Sequence, residues 1–136
     1  MAKHTSFSVC GETLSTPMHI CGFFDSKKER YDVVLPYIKE GLDNNEKVVN
    51  ILEGECHKEH CNHLSTAGIS LVEKLGSGQL EVLASENTYI KGGNFAAKRM
   101  YKMLEETLLA AKRTGYDSVR ACGDMVWALK NLPGTD

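Results

Sequence analysis

The most uniform apolar run in the first part of the chain is Met18–Phe24, which contains one histidine and no charge before the polar residues Asp25 and Ser26. A run of this kind, followed by an amphipathic segment, predicts a buried strand that feeds a helix. In such a strand His19, Cys21 and Phe23 share one face. An imidazole and a thiol at a strand end indicate a ligand site in an open α/β sheet, and two core residues are the alternative.

Two long helices are predicted from apolar residues at helical spacing. Ser26 and Glu29 match a capping box, so the first helix should begin there and continue to Leu42. Asn94 is predicted to cap the second, which carries apolar residues on one face and ends at Gly115.

Three more apolar segments are predicted to be strands, at Lys47–Leu52, Leu80–Ala84 and Ser118–Cys122, with a short polar helix over 56–66. Strands that alternate with helices favour an α/β fold in which a mostly parallel sheet forms the centre of a three-layer sandwich. Residues 1–17 are predicted to form an N-terminal arm or edge strand.

Polar residues follow the predicted strands where each one ends. These positions are Asp25, Glu53, Ser85-Glu86 and Asp124. Each alone is typical of a solvated turn or a helix cap, but parallel strands bring their carboxyl ends to one edge of a sheet. The sequence therefore predicts a binding site at that edge.

Composition indicates one soluble globular domain, with 42% hydrophobic residues, 25% charged residues and a net charge of −2. The chain has no basic run that would favour nucleic acid and no apolar segment approaching the ~20 residues of a membrane span. Without a signal-peptide core near the start, we expect a cytoplasmic protein. Its five scattered cysteines are more typical of reduced thiols than of a disulfide framework.

A cluster of thiol and imidazole groups occupies the predicted polar helix. On a helix its members fall near one another, and such groups bind zinc or another transition metal. The spacing matches no closed structural zinc motif, so a short helix with some core-facing residues is the alternative. The candidate metal ligands are Cys56, His57, His60, Cys61 and His63.

Four motifs carry a resemblance to a known family. They are HICGFFDS at 19–26, SGQL at 77–80, YIKGGNF at 89–95 and VRACGDMVWAL at 119–129. In this order, over about residues 7–134, they resemble the MEDS family, the methanogen and methylotroph or DcmR-type sensory domain.

The resemblance implies a degenerate relative of RecA and KaiC ATPases that has lost its phosphate loop, and the chain indeed contains no G-x-x-x-x-G-K-[ST] motif. It implies no nucleotide and no catalysis, but the sensing of a small molecule, such as a simple hydrocarbon derivative, in prokaryotic signal transduction. The ligand positions that it implies are His19, Cys21, Phe24, Asp25, Tyr89, Arg120, Asp124 and Trp127.

Three features depart from the family pattern. Asp124 stands where glutamate is expected, and the Cys/His cluster at 56–63 is not associated with the family. The family also usually continues beyond the equivalent of Pro133 into further strands and an output domain. A sheet that lacks its last strand would leave an edge for a second copy or another protein. Homodimerisation and a signalling partner or fused output domain are therefore hypotheses.

Arg120 lies in an apolar strand, so we expect it to pair with a carboxylate such as Asp124 or to meet an anionic ligand. The alternative to a small-molecule sensor is a metal or thiol-redox sensor that uses the cluster at 56–63. An enzyme is disfavoured, because Ser26 has no G-x-S-x-G elbow around it.

Overall fold

The computed structural model describes residues 6–135. Its helices are α1 (Lys27–Asp43), α2 (His57–Thr66), α3 (Leu71–Gly76) and α4 (Ala97–Arg113). Its strands are β1 (Ser6–Val9), β2 (Glu12–Ser15), β3 (Lys47–Leu52), β4 (Leu80–Ala84) and β5 (Val119–Gly123). Short 3-10 turns lie at Gly54–Cys56, Ser85–Asn87, Lys91–Gly93 and Val126–Leu129.

The central sheet contains β3, β4 and β5, and all its strands are parallel. Their order is β4-β3-β5, with Asn50 of β3 opposite Val82 on one side and Cys122 on the other. Parallel neighbours require crossover connections, and helices provide them here. The predicted α/β class and all three of these predicted strands are confirmed.

One face of the sheet carries the main hydrophobic core. Val48 of β3 and Leu80 of β4 pack there against Ile38 and Leu42 of α1 and Leu64 of α2. Ile38, Val48 and Leu64 have no exposed surface. Removing such side chains from water contributes about 1.5–3 kcal/mol each, so this face makes a large contribution to the stability of the domain.

The opposite face lies under α4 and is covered less completely. Val49 and Ile51 of β3 are buried there, but Ala111 is the only fully buried residue of α4, and Leu104 and Leu108 stay about 40% exposed. Helices on both faces confirm the three-layer arrangement. The side of the sheet under α1 and α2 is packed more completely than the side under α4.

The start of α1 shows why this helix could be predicted from local residues. Ser26 has an extended backbone, and its Oγ accepts a hydrogen bond from the Glu29 backbone N–H at 3.1 Å. The Glu29 carboxylate accepts from the backbone N–H of Asp25 at 2.7 Å, one residue earlier than in the standard capping box. The predicted helix start is confirmed.

The predicted strand at Met18–Phe24 is not formed. The segment belongs to no strand, and Met18, Ile20 and Phe23 are 51%, 44% and 94% exposed. An apolar alternation favours extended backbone, but a strand also needs a neighbour for its N–H and C=O groups. That neighbour is remote in sequence and cannot be read from the pattern.

The predicted cap of the second long helix is also wrong. The helix α4 begins at Ala97, with Ala96 at the cap position and no side-chain capping bond. The Asn94 side chain instead accepts a hydrogen bond from Arg99 at 3.2 Å. A side-chain donor five residues along the chain therefore uses the oxygen that the sequence assigned to capping.

The N-terminal arm is a hairpin of β1 and β2 that packs on α1. The Phe7 ring meets the Tyr37 ring edge-on with centroids 6.1 Å apart. The backbone N–H of Ser8 donates to the Glu40 carboxylate at 3.0 Å. The hairpin forms a separate two-stranded sheet, so it is an arm rather than an edge strand of the central sheet.

None of the helices within residues 6–135 combines the length and the apolar character that crossing a membrane requires.

Candidate functional site

Arg120 is fully buried beneath α1 and is held by carboxylates that the sequence did not identify. Its Nη2 donates to Glu46 at 2.6 Å, and its Nη1 donates to the Tyr37 carbonyl at 2.8 Å and to Glu40 at 3.3 Å. A Cβ at Gly41 of α1 would lie 2.8 Å from the Arg120 Cδ. The absence of a side chain at this position therefore leaves room for the arginine against the helix.

The expectation of an ion pair at Arg120 is confirmed, but the proposed partner Asp124 is wrong. Four residues along a strand span about 13 Å, which is too far for this pair. Asp124 instead accepts from Arg30 of α1 at 3.0 Å, and its second oxygen accepts from the Val126 backbone N–H at 2.7 Å. Arg120 is thus held by three hydrogen bonds to the protein, two of them to carboxylates.

The carboxyl edge of the sheet carries the predicted carboxylates, and each has a protein partner. Glu53 forms an ion pair with Lys130 at 2.5 Å, Glu86 accepts from the Gly54 backbone N–H at 3.2 Å, and Asp124 is paired as described. The Glu86 contact joins the ends of β4 and β3, and the Glu53 pair joins the end of β3 to the turn after β5. The convergence at one edge was predicted correctly for these three strands, while Asp25 is exposed beyond them.

Three aromatic rings form a stack beside this edge. Trp127 is buried and lies between Tyr89 and Phe95, with ring centroids 5.0 and 5.1 Å away. The Tyr89 hydroxyl sits over Gly123, where a Cβ would come within 2.6 Å of it. Burial raises the pKa of Tyr89, so this hydroxyl stays protonated near neutral pH.

The eight ligand positions that the resemblance implied fall into separate groups. Tyr89 and Trp127 are in contact, and Arg120 and Asp124 lie on or beside the same strand but have different partners. The other four belong to the connection before α1, where Phe24 is half-buried; the exposed members are His19, Cys21 and Asp25. The described conformation does not bring all eight together.

An apolar cleft opens between the sheet and α4, and sequence reasoning did not identify it. Its volume is about 260 Å³. The sheet side is formed by Val49, Ile51, Leu83, Val119 and Ala121, and the helix side by Met103, Leu104, Thr107 and Leu108. The signal in the sequence was the surplus of large apolar residues on α4, which a tightly packed helix would have buried.

The histidine at the centre of the predicted metal cluster is part of the core. His60 Nε2 donates to Asn50 Oδ1 at 2.9 Å, so its Nδ1 is the acceptor for the Tyr31 hydroxyl at 3.0 Å. Burial, with a smaller contribution from Arg30, lowers the His60 pKa to about 4. Both ring nitrogens are therefore occupied, and His60 is neutral at physiological pH.

The five predicted metal ligands do not converge. Among the described residues, the potential donor atoms that lie within 4.8 Å of one another belong to Glu53, Glu55 and Cys56. Burial, together with the two neighbouring carboxylates, raises the pKa of the Cys56 thiol. A protonated thiol beside a glutamate that is already paired with Lys130 is a weak starting point for metal binding.

Cys122 is the cysteine that lies in the central sheet. All five cysteines are free, and Cys122 of β5 is partly buried against the hydrophobic core under α1. Burial raises the Cys122 pKa to about 12. This thiol behaves as a small apolar core group.

Comparison with known families gives one match over most of the chain. Residues 18–136 match the family described as MEDS, the MEthanogen/methylotroph, DcmR Sensory domain. No curated protein matches, and no solved structure matches.

Proposed function

Because this chain belongs to the MEDS family of sensory domains, we propose that it is a non-catalytic receptor for a small, neutral, largely apolar molecule such as a hydrocarbon derivative. The observation that carries the proposal is the cleft between the sheet and α4. It lies on the less tightly packed face of the domain. A ligand there would cover apolar side chains that the protein itself leaves partly exposed.

The size and lining of the cleft support this class of ligand. A dry cavity of about 150 Å³ is enough to bind benzene, so about 260 Å³ accommodates a somewhat larger organic molecule. The lining is aliphatic apart from Thr107, whose hydroxyl donates to the Met103 carbonyl at 2.8 Å and keeps its oxygen lone pairs. A ligand with one donor group on an apolar body suits this surface, whereas an ion would lose its hydration.

Ligand binding would be transmitted through α4, because the sheet face under α4 is packed less completely than the opposite face. The helix α4 is the only wall of the cleft that is not part of the sheet, and it is held by few buried residues. A ligand that packs against Met103 and Leu108 would favour one position of α4 over others. A separate signalling protein or a fused output domain would then recognise that position.

A non-catalytic role is supported by the state of the groups that could do chemistry. Ser26 caps α1 through its hydroxyl, and the carboxylates Glu53 and Asp124 are paired with Lys130 and Arg30. His60 is fully hydrogen-bonded inside the core. None of these is arranged as a nucleophile with its base.

The proposal is tested with a series of primary alcohols and chloroalkanes of one to six carbons, with the corresponding carboxylates as charged comparisons. Binding is followed through the methyl NMR signals of Val49, Ile51 and Leu83. We expect saturable shifts with the neutral compounds and at least about tenfold weaker binding of the carboxylates. Equal binding of both series, or no saturation, would contradict the proposal.

A variant that fills the cleft provides the specific control. Ala121→Phe places a ring in the lining and should weaken binding by about tenfold or more. Val72→Phe, at a position that is 90% exposed on α3, should leave binding unchanged. Equal binding by the two variants would place the ligand elsewhere.

The metal or thiol-redox alternative remains a prediction with less support, because His60 has no free ring nitrogen. Metal analysis of protein purified without a histidine tag, after incubation with zinc, decides it. Stoichiometric zinc that is lost on replacing Cys56 would favour the alternative.

A further inference from the structure

A tyrosine hydroxyl lies next to the cleft under α4, on the side of the carboxyl edge of the sheet. Val119 and Ala121 of β5 line the cleft, and Gly123 is the next residue of that strand on the same face. Gly123 has no side chain, and a Cβ there would be 2.6 Å from the Tyr89 hydroxyl. The hydroxyl therefore lies where the next lining side chain of β5 would otherwise be.

The register of the sheet places this hydroxyl beside the apolar lining. Gly123 is the partner of Ile51 on β3, and Ile51 lines the cleft. Neighbouring strands lie about 4.8 Å apart, and two residues along a strand span about 6.6 Å. A ligand that fills the cleft would thus have one end next to the Tyr89 hydroxyl.

The Tyr89 hydroxyl is held in position but has no acceptor. The ring stacks on Trp127 with centroids 5.0 Å apart, and the backbone carbonyl of Tyr89 accepts from Arg99 at 3.2 Å. No hydrogen bond within residues 6–135 uses the hydroxyl. Burial raises the pKa of Tyr89, so the hydroxyl keeps its proton. A fixed donor at the end of an apolar cleft is suited to orienting a ligand.

Two further hydrogen-bonding groups near this edge lack partners among the described residues. They are Trp127 Nε1 and Ser85 Oγ, in side chains that are 5% and 1% exposed. Ser85 follows the extended residue Ala84, so it lies on the same side of β4 as Leu83, which lines the cleft. Each group can donate a hydrogen bond, as Tyr89 can. Buried polar groups are nearly always paired, so this excess of donors indicates an acceptor from outside the chain.

We propose that the Tyr89 hydroxyl donates a hydrogen bond to the carbonyl oxygen of a ligand whose apolar part fills the cleft. The inference rests on the proposed function and narrows its ligand class to short ketones, aldehydes and esters. A neutral carbonyl is favoured over a carboxylate, because none of the residues that line the cleft is charged. The nearby Arg99 already donates to the backbone carbonyls of Tyr89 and Asn94.

Two probes of similar length test the proposal, and one of them lacks the carbonyl. They are 2-pentanone and 1-chlorobutane, and their binding is followed through the methyl NMR signals of Ile51 and Leu83. Tyr89→Phe keeps the stacked ring and removes the donor. We expect it to weaken binding of 2-pentanone by about fivefold and binding of 1-chlorobutane by less than about twofold. An equal effect on both probes would overturn the proposal.

Tyr101→Phe is the matched control. It removes the same hydroxyl from a side chain of α4 that is 66% exposed and does not line the cleft. Binding of both probes should stay within about twofold of that of the unmodified protein. If Tyr101→Phe weakened binding of 2-pentanone as much as Tyr89→Phe, the donor would not be Tyr89.

The carbonyl stretching frequency of bound 2-pentanone provides a measurement that does not depend on affinity. The ketone is labelled with ¹³C at the carbonyl, and infrared spectra are recorded at saturation. A hydrogen bond weakens the C=O bond, so the frequency should be lower in the unmodified protein than in Tyr89→Phe. The same frequency in both proteins would contradict the hydrogen bond.

The outcomes separate this inference from the proposed function. If 1-chlorobutane binds, and Ala121→Phe weakens its binding, the cleft is a ligand site. An unchanged affinity for 2-pentanone in Tyr89→Phe would then overturn the role of Tyr89 alone. If neither probe shows saturable binding to the unmodified protein, the proposed function fails, and the inference fails with it.

Discussion

The Arg120 guanidinium and the Glu46 carboxylate form an ion pair at 2.6 Å in which both side chains are only 3% exposed. The second oxygen of Glu46 accepts from the Ser118 hydroxyl at 2.7 Å, and Glu40 lies 3.3 Å from the guanidinium. The pair links the start of β3 to β5 beneath α1. Its two residues are 74 positions apart in the chain.

Replacing Glu46 should therefore be strongly destabilising. Glu46→Ala leaves the Arg120 charge buried with only Glu40 nearby, and we expect the free energy of unfolding to fall by about 3 kcal/mol. Urea denaturation measures the loss. The exposed pair of Lys39 and Asp43 is the control, and Asp43→Ala should change stability by less than about 0.5 kcal/mol. Similar losses in both variants would show that burial of the first pair has no energetic consequence.

The neutral His60 makes stability depend on pH. Its pKa is lowered from 6.5 to about 4 in the folded protein, so between these values the unfolded chain binds a proton that the folded chain does not. The contribution is fully present above about pH 6.5 and is lost as the pH falls toward 4. It amounts to about 3 kcal/mol at most.

His60→Gln tests this dependence, because glutamine does not titrate. Between pH 7 and about pH 4.5, the unfolding free energy of the variant should fall less steeply than that of the unmodified protein. His19→Gln, at an exposed position, should keep the original slope. Parallel curves for all three proteins would exclude His60 as the source.

The close contact between Tyr89 and Gly123 predicts a compensating pair of substitutions. Gly123→Ala places a Cβ within 2.6 Å of the Tyr89 hydroxyl and should cost about 1–3 kcal/mol. Adding Tyr89→Phe removes that oxygen and leaves ring carbons at 3.4 Å, so most of the loss should be recovered. Denaturation of both single variants and the double variant measures the coupling.

Gly76 is the matched control for that cycle. A Cβ there would have no neighbour within 4 Å, and the residue lies at the end of α3. Gly76→Ala should be neutral or slightly stabilising, with or without Tyr89→Phe. If Gly76→Ala lowered the free energy of unfolding as much as Gly123→Ala, the loss at Gly123 would come from backbone effects and not from contact with the tyrosine.

The cap of α1 should contribute about 1 kcal/mol. Ser26→Ala removes the acceptor for the Glu29 N–H and leaves that donor without its cap. Ser70 occupies the same position before α3 but forms no capping bond, so Ser70→Ala should have little effect. Thermal unfolding of the two variants compares them directly, and an equal shift in Tm would contradict the role of the Ser26 hydroxyl.

Local interactions account for the parts of the fold that the sequence predicted well. The Ser26 cap depends on a residue three positions away, and the strand Lys47–Leu52 is recognisable from its own apolar run. One failure is local, because Asn94 lost its capping role to Arg99, five residues along the chain. The other depends on residues that are remote in sequence, because Met18–Phe24 found no neighbouring strand in the described conformation.

The candidate site was predicted only in part for the same reason. The meeting of Glu53, Glu86 and Asp124 at one edge follows from parallel topology, which alternation of strands and helices reveals. The partner of Arg120 could be predicted as a carboxylate from desolvation alone, but its identity required the position of α1 over β5. The cleft depends on how closely α4 approaches the sheet, which no periodicity encodes.

The ring stack around Trp127 has a practical consequence, because this is the only tryptophan in the chain. Its intrinsic fluorescence reports on a single environment, shielded from water by Tyr89 and Phe95 at the carboxyl edge of the sheet. The indole emission should lie toward the blue in the folded protein. Any rearrangement of the loop that carries Tyr89 and Phe95 would then be visible as a change in emission, without a label.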